Sequence, residues 1–162
     1  MKKAFTMIEL IFVIVILGIL AAVALPKFLG VAGQAHEANL KGFVGTLNRT
    51  VGSSLWSKSL TEGKNGSIKD YNSTYGGSNF SKLIDIPKEI NASSINLGNC
   101  DKKFASTKIF AEANTSITGS DYSILCRDGN ATTPPAWVLL NSNKTCIAGP
   151  CDQAKSDDSN IK

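Results

Sequence analysis

The chain has 162 residues, with 17 basic and 13 acidic side chains, a formal net charge of +4 and one histidine. This length leaves room for one modest folded domain beside an anchoring segment. The basic residues are scattered along the chain, whereas a nucleic-acid-binding surface gathers them on one face, so no nucleic-acid partner is predicted. With one histidine, no CxxC pair, no glycine-rich phosphate loop and no nucleophile elbow, neither an enzyme, a cofactor nor a metal centre is predicted.

An apolar block occupies the start of the chain. Two lysines follow Met1, and residues 10–25 contain no polar side chain. A helix over residues 5–25 would rise roughly 30 Å, which is about the hydrocarbon thickness of a bilayer. Since no further lysine occurs until Lys27, we predict a cytoplasmic N-terminus, with the rest of the chain on the far side of the membrane.

Glu9 interrupts the apolar character of this helix. A carboxylate at bilayer depth costs roughly 2.5–3.5 kcal/mol on insertion scales, so an offsetting interaction is expected. Two interpretations are open. The side chain either lies at the headgroup level, where water solvates it, or gains a partner on assembly, such as the free α-amine of a neighbouring subunit.

The stretch KKAFTMIELIFVIVILGILAAVALPKF resembles the class III leader and N-terminal helix of type IV pilins and type II secretion pseudopilins. The resemblance implies that a prepilin peptidase cuts between Ala4 and Phe5, methylates the new amine and leaves Glu9 as the fifth mature residue. Pro26 lies where such helices bend, as expected from its missing N–H donor. The family usually has glycine before the cut, and Ala4 in its place predicts slower or less complete cleavage.

A second cleavage site is an alternative. Ala22-Val23-Ala24 fits the small-x-small pattern of ordinary signal peptidase, which would start the mature protein at Leu25 and remove the anchor. Glu9 inside the apolar region and the FTMIEL sequence count against this alternative.

Beyond Pro26 the apolar residues recur every three or four positions, which is typical of one stripe of an amphipathic helix. We predict that this helix ends near Ser57. His36 falls near the stripe, where a packed or solvated side chain is expected rather than a catalytic one. The stripe consists of Leu40, Phe43, Val44, Leu47, Val51 and Leu55.

The rest of the sequence, from residue 59 onward, predicts a small globular head. Residues 59–81 are rich in Gly, Asn and Ser and predict a loop without a core element. Short strands are predicted over residues 82–86, 104–111, 122–127 and 136–141, and a frayed, polar tail from Asp152 onward.

The predicted fold is therefore α+β and pilin-like: a long N-terminal helix, transmembrane in its first half and amphipathic in its second, packed on a small antiparallel β-sheet. The segments are a leader peptide (1–4), a transmembrane and filament-core helix (5–26), an amphipathic helix (27–58), a globular head with the sheet and disulfides (59–151) and a polar tail (152–162).

Four cysteines lie in the C-terminal two fifths of the chain: Cys100, Cys126, Cys146 and Cys151. An even number in a small chain with an export-like start predicts disulfides and an oxidising compartment. Three connectivities are possible, and the spacing does not choose among them. Type IV pilins often close a C-terminal loop with a disulfide, so the resemblance implies a Cys146–Cys151 bond, which leaves Cys100 with Cys126.

Asn-x-Ser/Thr triplets are unusually frequent. The chain has eight, whereas 13 asparagines and 28 serines and threonines in 162 residues would give about two by chance. Four have an acidic residue two positions earlier, a pattern that resembles the acceptor of bacterial oligosaccharyltransferases. Turns rich in Asn and Ser are the structural alternative. The four candidate glycosylation sites are Asn72, Asn91, Asn114 and Asn130.

The resemblance implies a structural subunit that polymerises through its N-terminal helix after cleavage. Its partners would be copies of itself, a prepilin peptidase, an inner-membrane assembly platform and, before assembly, membrane lipid. It would first be a single-pass inner-membrane protein with a periplasmic head, and then part of a periplasmic or cell-surface filament. The sequence leaves open a type IV pilus or a secretion-type pseudopilus, and the disulfide loop and candidate glycans favour the pilus.

The alternative function is a monomeric periplasmic binding or adhesive module anchored by one helix. A calcium site at Asp152, Asp157 and Asp158 is not predicted, because their spacing fits no established calcium loop.

Overall fold

The computed structural model describes residues 5–162 and gives the backbone alone for residues 25–30. The chain divides into two compact units, Met1–Ala35 and His36–Lys162. Helix α1 (Met7–Thr46) contributes residues to both.

The first unit is helical from Met7 onward. Every described side chain from residue 5 to residue 23 is exposed. Most of these side chains are large and apolar, which in water would be strongly unfavourable over so long a surface.

The second unit begins with the C-terminal part of α1, followed by a π-helical turn (Leu47–Val51) and α2 (Gly52–Thr61). All six residues of the predicted apolar stripe are buried, which confirms the amphipathic pattern. The helical course continues past Ser57 to Thr61, four residues beyond the predicted end.

Four antiparallel strands form one sheet in the order β1 (Ile109–Glu112), β2 (Tyr122–Arg127), β3 (Ala136–Asn141) and β4 (Cys146–Ala148). The sheet with the preceding helix confirms the α+β class. The bounds of β2 and β3 coincide with the predicted strands, while β4 was not predicted because three residues carry too little pattern.

Two predicted strands were wrong in part or whole. Residues 82–86 form no strand, and instead a 3-10 helix (Gly77–Lys82) leads into an irregular segment. Strand β1 starts at Ile109 rather than at residue 104, because carboxylates of Asp157 and Asp158 accept hydrogen bonds from the backbone N–H groups of Phe104 and Ser106. Those groups are therefore not free to pair with a strand.

The sheet is covered on both faces. One face packs Phe110, Ile124 and Trp137 into the main core with the helix, and the aromatic rings of Phe80, Phe110 and Trp137 meet edge to face at centroid distances of 5.5 and 6.0 Å. The other face packs Leu125, Val138 and Leu140 against a second cluster.

The C-terminal residues cover this second face, so the prediction of a frayed tail was wrong. Helix α5 (Cys151–Asp157), which follows the short helix α4 (Thr115–Thr118) in chain order, buries Ala154, and Ile161 is 4% exposed. The backbone of Lys162 exchanges hydrogen bonds with Cys146 and Lys144. Polar composition misled the prediction, because the two apolar residues that dock the segment are far apart in sequence.

The segment over residues 59–81 also contributes to the core, contrary to the predicted loop. Ile68, Tyr71 and Phe80 are buried there. Tyr71 and Phe80 lie in short helices at Lys69–Tyr71 and Gly77–Lys82, Ile68 directly precedes the first of these helices, and α3 (Asn72–Tyr75) lies between them. Single large apolar residues at wide spacing carry no helical or strand period, so their burial was not visible in the pattern.

Asn48, in the π-helical turn, joins the helix to β3. Its Oδ1 accepts a hydrogen bond from the backbone N–H of Trp137 at 2.9 Å, and its Nδ2 donates to the carbonyl oxygen of Trp137 at 2.9 Å. The side-chain amide thus satisfies both backbone groups of one strand residue, as a neighbouring strand would. Gly52 permits the close approach, because an added Cβ would lie 2.9 Å from Cζ3 of Trp137.

We expect Asn48→Ala to lower the free energy of unfolding of the head by about 2–4 kcal/mol, because two buried backbone groups of Trp137 lose their partner. Thermal unfolding of the detergent-solubilised chain measures the effect. The matched control is Asn143→Ala at an exposed position that makes no side-chain hydrogen bond within residues 5–162. Equal melting temperatures for the two variants would show that the Asn48 amide contributes little.

Candidate functional site

The candidate functional site is the exposed N-terminal segment. The stretch Met7–Ala24 is long and apolar enough to cross a membrane, and none of it is buried within the chain. Phe5, the first described residue, is 84% exposed. Ala4 lies outside the described residues, so the predicted cut between these two remains a prediction.

Glu9 has a local partner that was not predicted from the sequence. The backbone N–H and the hydroxyl of Thr6 donate to Oε2 of Glu9 at 3.1 and 2.8 Å, and the N–H of Glu9 donates to Oγ1 of Thr6 at 3.4 Å. This reciprocal arrangement is a capping box, which satisfies N–H groups at the start of a helix that have no partner within it. The T-x-x-E spacing before an apolar run was the signal for it.

The capping box changes the interpretation of Glu9. Neither of the two earlier interpretations included a partner within the same chain. The bonds from Thr6 use one carboxylate oxygen, so Oε1 makes no hydrogen bond in the described part of the chain. Glu9 can therefore accept a further donor without losing its local bonds.

Pro26 lies within the bounds of α1. Its side chain is outside the described residues, so a bend at this position remains a prediction.

A buried polar cluster stands at the start of the second unit. Glu89 is 1% exposed, and its Oε1 lies 2.8 Å from Nδ1 of His36 and accepts a hydrogen bond from Nδ2 of Asn39 at 3.0 Å. The carboxylate thereby connects the helix to the segment that precedes β1. His36 is packed, as expected, and its role is to hold this carboxylate.

The cluster makes the stability of the head depend on pH. Burial raises the pKa of Glu89, but the hydrogen bonds from His36, from Asn39 and from the backbone N–H of Glu89 together with the nearby His36 ring lower it by more in sum, so the pKa of this carboxyl lies below its usual range. A lowered folded-state pKa stabilises the head above the unfolded-state pKa of about 4.3, and this contribution is lost as the pH falls through the folded-state value.

We expect Glu89→Gln to lower the unfolding free energy at pH 7 by about 1–3 kcal/mol and to reduce the loss of stability between pH 7 and pH 3. Chemical unfolding at both pH values measures this. The control, Asp121→Asn, changes an exposed acid that makes no hydrogen bond or ion pair among residues 5–162. An unchanged pH dependence in Glu89→Gln would assign the acid sensitivity elsewhere.

Two disulfides close the head, and they join the pairs implied by the family resemblance. Cys100 bonds to Cys126 in β2, and both are buried. Cys146 in β4 bonds to Cys151 at the start of α5, which fixes the C-terminal helix beside the sheet. No free cysteine remains among residues 5–162.

The four candidate glycosylation sites lie on the head in different settings. Asn91 and Asn130 are exposed, while Asn72 and Asn114 are half-buried. The segments of Asn91 and Asn114 are neighbours, because the backbone bridge between Ile90 and Ala113 places them antiparallel.

The described part of the chain, residues 5–162, contains no group of three His, Cys, Asp or Glu side chains placed to hold a metal ion. Asp157 and Asp158 bond to backbone N–H groups instead. Hydrogen bonds from Ser106 and Asn160 hold the pKa of Asp158 well below its usual range. These two carboxylates anchor the C-terminal segment.

Two comparisons with known proteins match part of the chain. Residues 1–25 match the prokaryotic N-terminal methylation motif. By this segment the chain is similar to type IV pilins. A 38-residue stretch, 24% of the chain, is 55% identical to the type IV narrow pilus major component PilA5 of Thermus thermophilus.

The pilin likeness is confined to part of the chain. The match spans 33% of the length of the Thermus pilin, and no solved structure matches the chain. Most of the chain, including most of the head, therefore lies outside these matches.

Proposed function

We propose that the chain is a prepilin that polymerises into a type IV pilus after cleavage before Phe5. The observation that carries this proposal is the uninterrupted exposed apolar surface over residues 5–23, which bears a single acid. Such a surface needs a cover of matching polarity. Lipid supplies it before assembly, and the same helix of neighbouring subunits supplies it in the filament core.

Close helix packing is supported by the residues on this surface. Gly18 has nothing within 4 Å of the position that a Cβ would occupy. Small residues let helix backbones approach closely, both in helical bundles and in lipid, where packing rather than the hydrophobic effect drives association.

Glu9 provides the specific contact. Cleavage before Phe5 turns its N–H into a cationic amine, which remains charged after methylation. A buried carboxylate is strongly destabilising unless a cation and hydrogen bonds compensate for lost water. Thr6 supplies the hydrogen bonds within the chain, and the amine of a neighbouring subunit supplies the cation through the free Oε1. This pairing fixes the axial position of each subunit.

The partners and location follow from this function. A prepilin peptidase cleaves and methylates the N-terminus, and an inner-membrane assembly platform extracts the subunit from lipid. The head lies in the periplasm before assembly and faces outward in the filament. A pilus is favoured over a secretion-type pseudopilus because the Thermus relative is a pilus component and a disulfide closes the C-terminal loop of this head.

Shearing the surface of cells that produce the chain tests polymerisation. We expect the chain to sediment with sheared fibres, which an antibody to the head labels along their length in electron micrographs. Cells without prepilin peptidase should retain the chain in the membrane fraction as the uncleaved form. If the chain from peptidase-positive cells stayed in the membrane as a monomer, an anchored binding or adhesive module would be the better description.

A further inference from the structure

The four Asn-x-Ser/Thr sites that have an acid two residues earlier differ in how firmly the fold holds their side chains. We propose that Asn114 is the acceptor of an N-linked glycan and that the other three sites have structural roles. This inference rests on the proposed function in one respect, since it needs the head on the periplasmic side of the membrane.

The transfer reaction defines what an acceptor site must offer. Nδ2 of the asparagine attacks the anomeric carbon of a saccharide carried on a polyprenyl pyrophosphate. The new C–N bond replaces the bond between that carbon and the phosphate oxygen, polyprenyl pyrophosphate leaves with the electron pair, and the amide loses one proton. A transferase that reads the longer pattern must therefore reach the amide, the hydroxyl two residues later and the acid two residues earlier.

At Asn91 the acid cannot be reached. Glu89, two residues earlier, is 1% exposed and bonded to His36 and Asn39. The Oδ1 of Asn91 caps a 3-10 turn by accepting from the N–H of Ser93 at 3.2 Å. Both members of this site therefore already have roles in the fold.

At Asn130 the acid is likewise engaged. Asp128 accepts hydrogen bonds from the hydroxyl of Ser67 at 2.6 Å and from the backbone N–H of Ile68 at 2.8 Å. The Oδ1 of Asn130 accepts three bonds from Thr132 and Thr133. The hydroxyl that a transferase needs, on Thr132, is one of those donors.

At Asn72 the acid two residues earlier, Asp70, is exposed, but the side-chain amide of Asn72 is held by a hydrogen bond. Oδ1 of Asn72 accepts from the backbone N–H of Leu97 at 2.8 Å, and the side chain lies against Gly76 and Gly98. A glycan on Nδ2 would have to displace the amide from this packed position, so the site is closed in the folded head.

Asn114, although half-buried, is the site at which all three side chains are left without hydrogen bonds among residues 5–162. Its side chain and those of Glu112 and Ser116 make no hydrogen bond or ion pair within residues 5–162, and Glu112 and Ser116 are exposed. Glu112 and Thr115 line an open surface depression of about 320 Å³.

Hydrogen bonds hold the backbone of Asn114 in place. The N–H of Asn114 donates to the carbonyl oxygen of Glu89 at 2.7 Å, and its own carbonyl oxygen accepts from the N–H groups of Ile117 and Thr118 at 2.9 and 3.0 Å. The side chain of Asn114 thus makes no hydrogen bond within residues 5–162, while its backbone is held by these three. With no bond to break, attachment at Nδ2 should leave the fold intact.

Peptide mass spectrometry of the native, reduced chain tests the assignment. Trypsin cuts after Lys88, Lys102, Lys108, Arg127 and Lys144, so residues 109–127 carry Asn114 as their only Asn-x-Ser/Thr site. Asn91 falls in residues 89–102 and Asn130 in residues 128–144. We expect a saccharide mass on the 109–127 peptide alone.

Two substitutions at the site and one elsewhere sharpen the test. Asn114→Gln should abolish the saccharide mass, and Ser116→Ala should abolish it although Asn114 is retained. Asn130→Gln should leave it unchanged. An unmodified 109–127 peptide in the native chain would overturn the assignment, and equal modification of the Asn72, Asn91 and Asn130 peptides would do so by showing that the fold does not select the site. The N-terminal peptide in the same digest reports cleavage before Phe5 independently.

Discussion

Replacing Glu9 with glutamine is expected to abolish filaments while the chain still inserts in the membrane. The amide keeps the size of the side chain and its ability to accept from Thr6, but it removes the negative charge that would face the neighbouring amine. Leaving one member of a buried ion pair unpaired costs about 3–5 kcal/mol, which corresponds to a hundredfold or greater loss of subunit affinity. Sheared fibre yield and the membrane content of the chain measure the two effects.

Two variants separate this effect from changes at the helix start or in net charge. Thr6→Ala removes the capping hydroxyl but leaves the carboxylate, so it should cost about 1 kcal/mol in local helix stability and retain filaments. Asp152→Asn removes one exposed acid of the head and should change neither quantity. If Glu9→Gln assembled as well as Asp152→Asn, the carboxylate would have no role between subunits.

Loss of the Cys100–Cys126 disulfide is expected to destabilise the head more than loss of Cys146–Cys151. The two bonds join residues 26 and 5 positions apart. Chain-entropy arguments then give about 3.5 kcal/mol for the first and about 2 kcal/mol for the second, because a longer loop gains more freedom in the unfolded chain. The first value is a large part of the stability of a small domain.

Paired alanine substitutions test this difference, since alanine avoids placing a hydroxyl at the buried positions of Cys100 and Cys126. Denaturant unfolding of the detergent-solubilised chain should give a lower midpoint for the Cys100→Ala, Cys126→Ala pair. The Cys146→Ala, Cys151→Ala pair should mainly release α5 from the sheet, with faster proteolysis near the C-terminus. The reverse order of midpoints would mean that packing of α5 matters more than loop length.

The sequence predicted those parts of the fold whose pattern repeats over many residues. The apolar stripe from Leu40 to Leu55 and the strands β2 and β3 have a period or an unbroken apolar run, and both kinds of signal are local. The covered second face of the sheet was also signalled, since Trp137-Val138-Leu139-Leu140 is apolar on both sides of the strand. The C-terminal segment that covers this face was not signalled, because its two docking residues, Ala154 and Ile161, lie among polar residues.

The candidate site was predicted in part for the same reason. The resemblance of the N-terminal segment to pilins predicts Phe5 and Glu9 as site residues from sequence alone, and the T-x-x-E spacing is the signal for a capping box. The bonds from His36 and Asn39 to Glu89 join residues 53 and 50 positions apart, so they depend on tertiary structure. Likewise, an acid before an asparagine looks the same at Glu89 and Glu112, and only burial separates the two.

The mass of the N-terminal peptide from sheared fibres tests the central claim most directly. If residues 5–23 form the core of a filament whose Glu9 pairs with a processed terminus, that peptide begins at Phe5 and carries one added methyl group. A peptide that still contains Ala4, or one that begins at Leu25 after removal of the apolar helix, would contradict the claim.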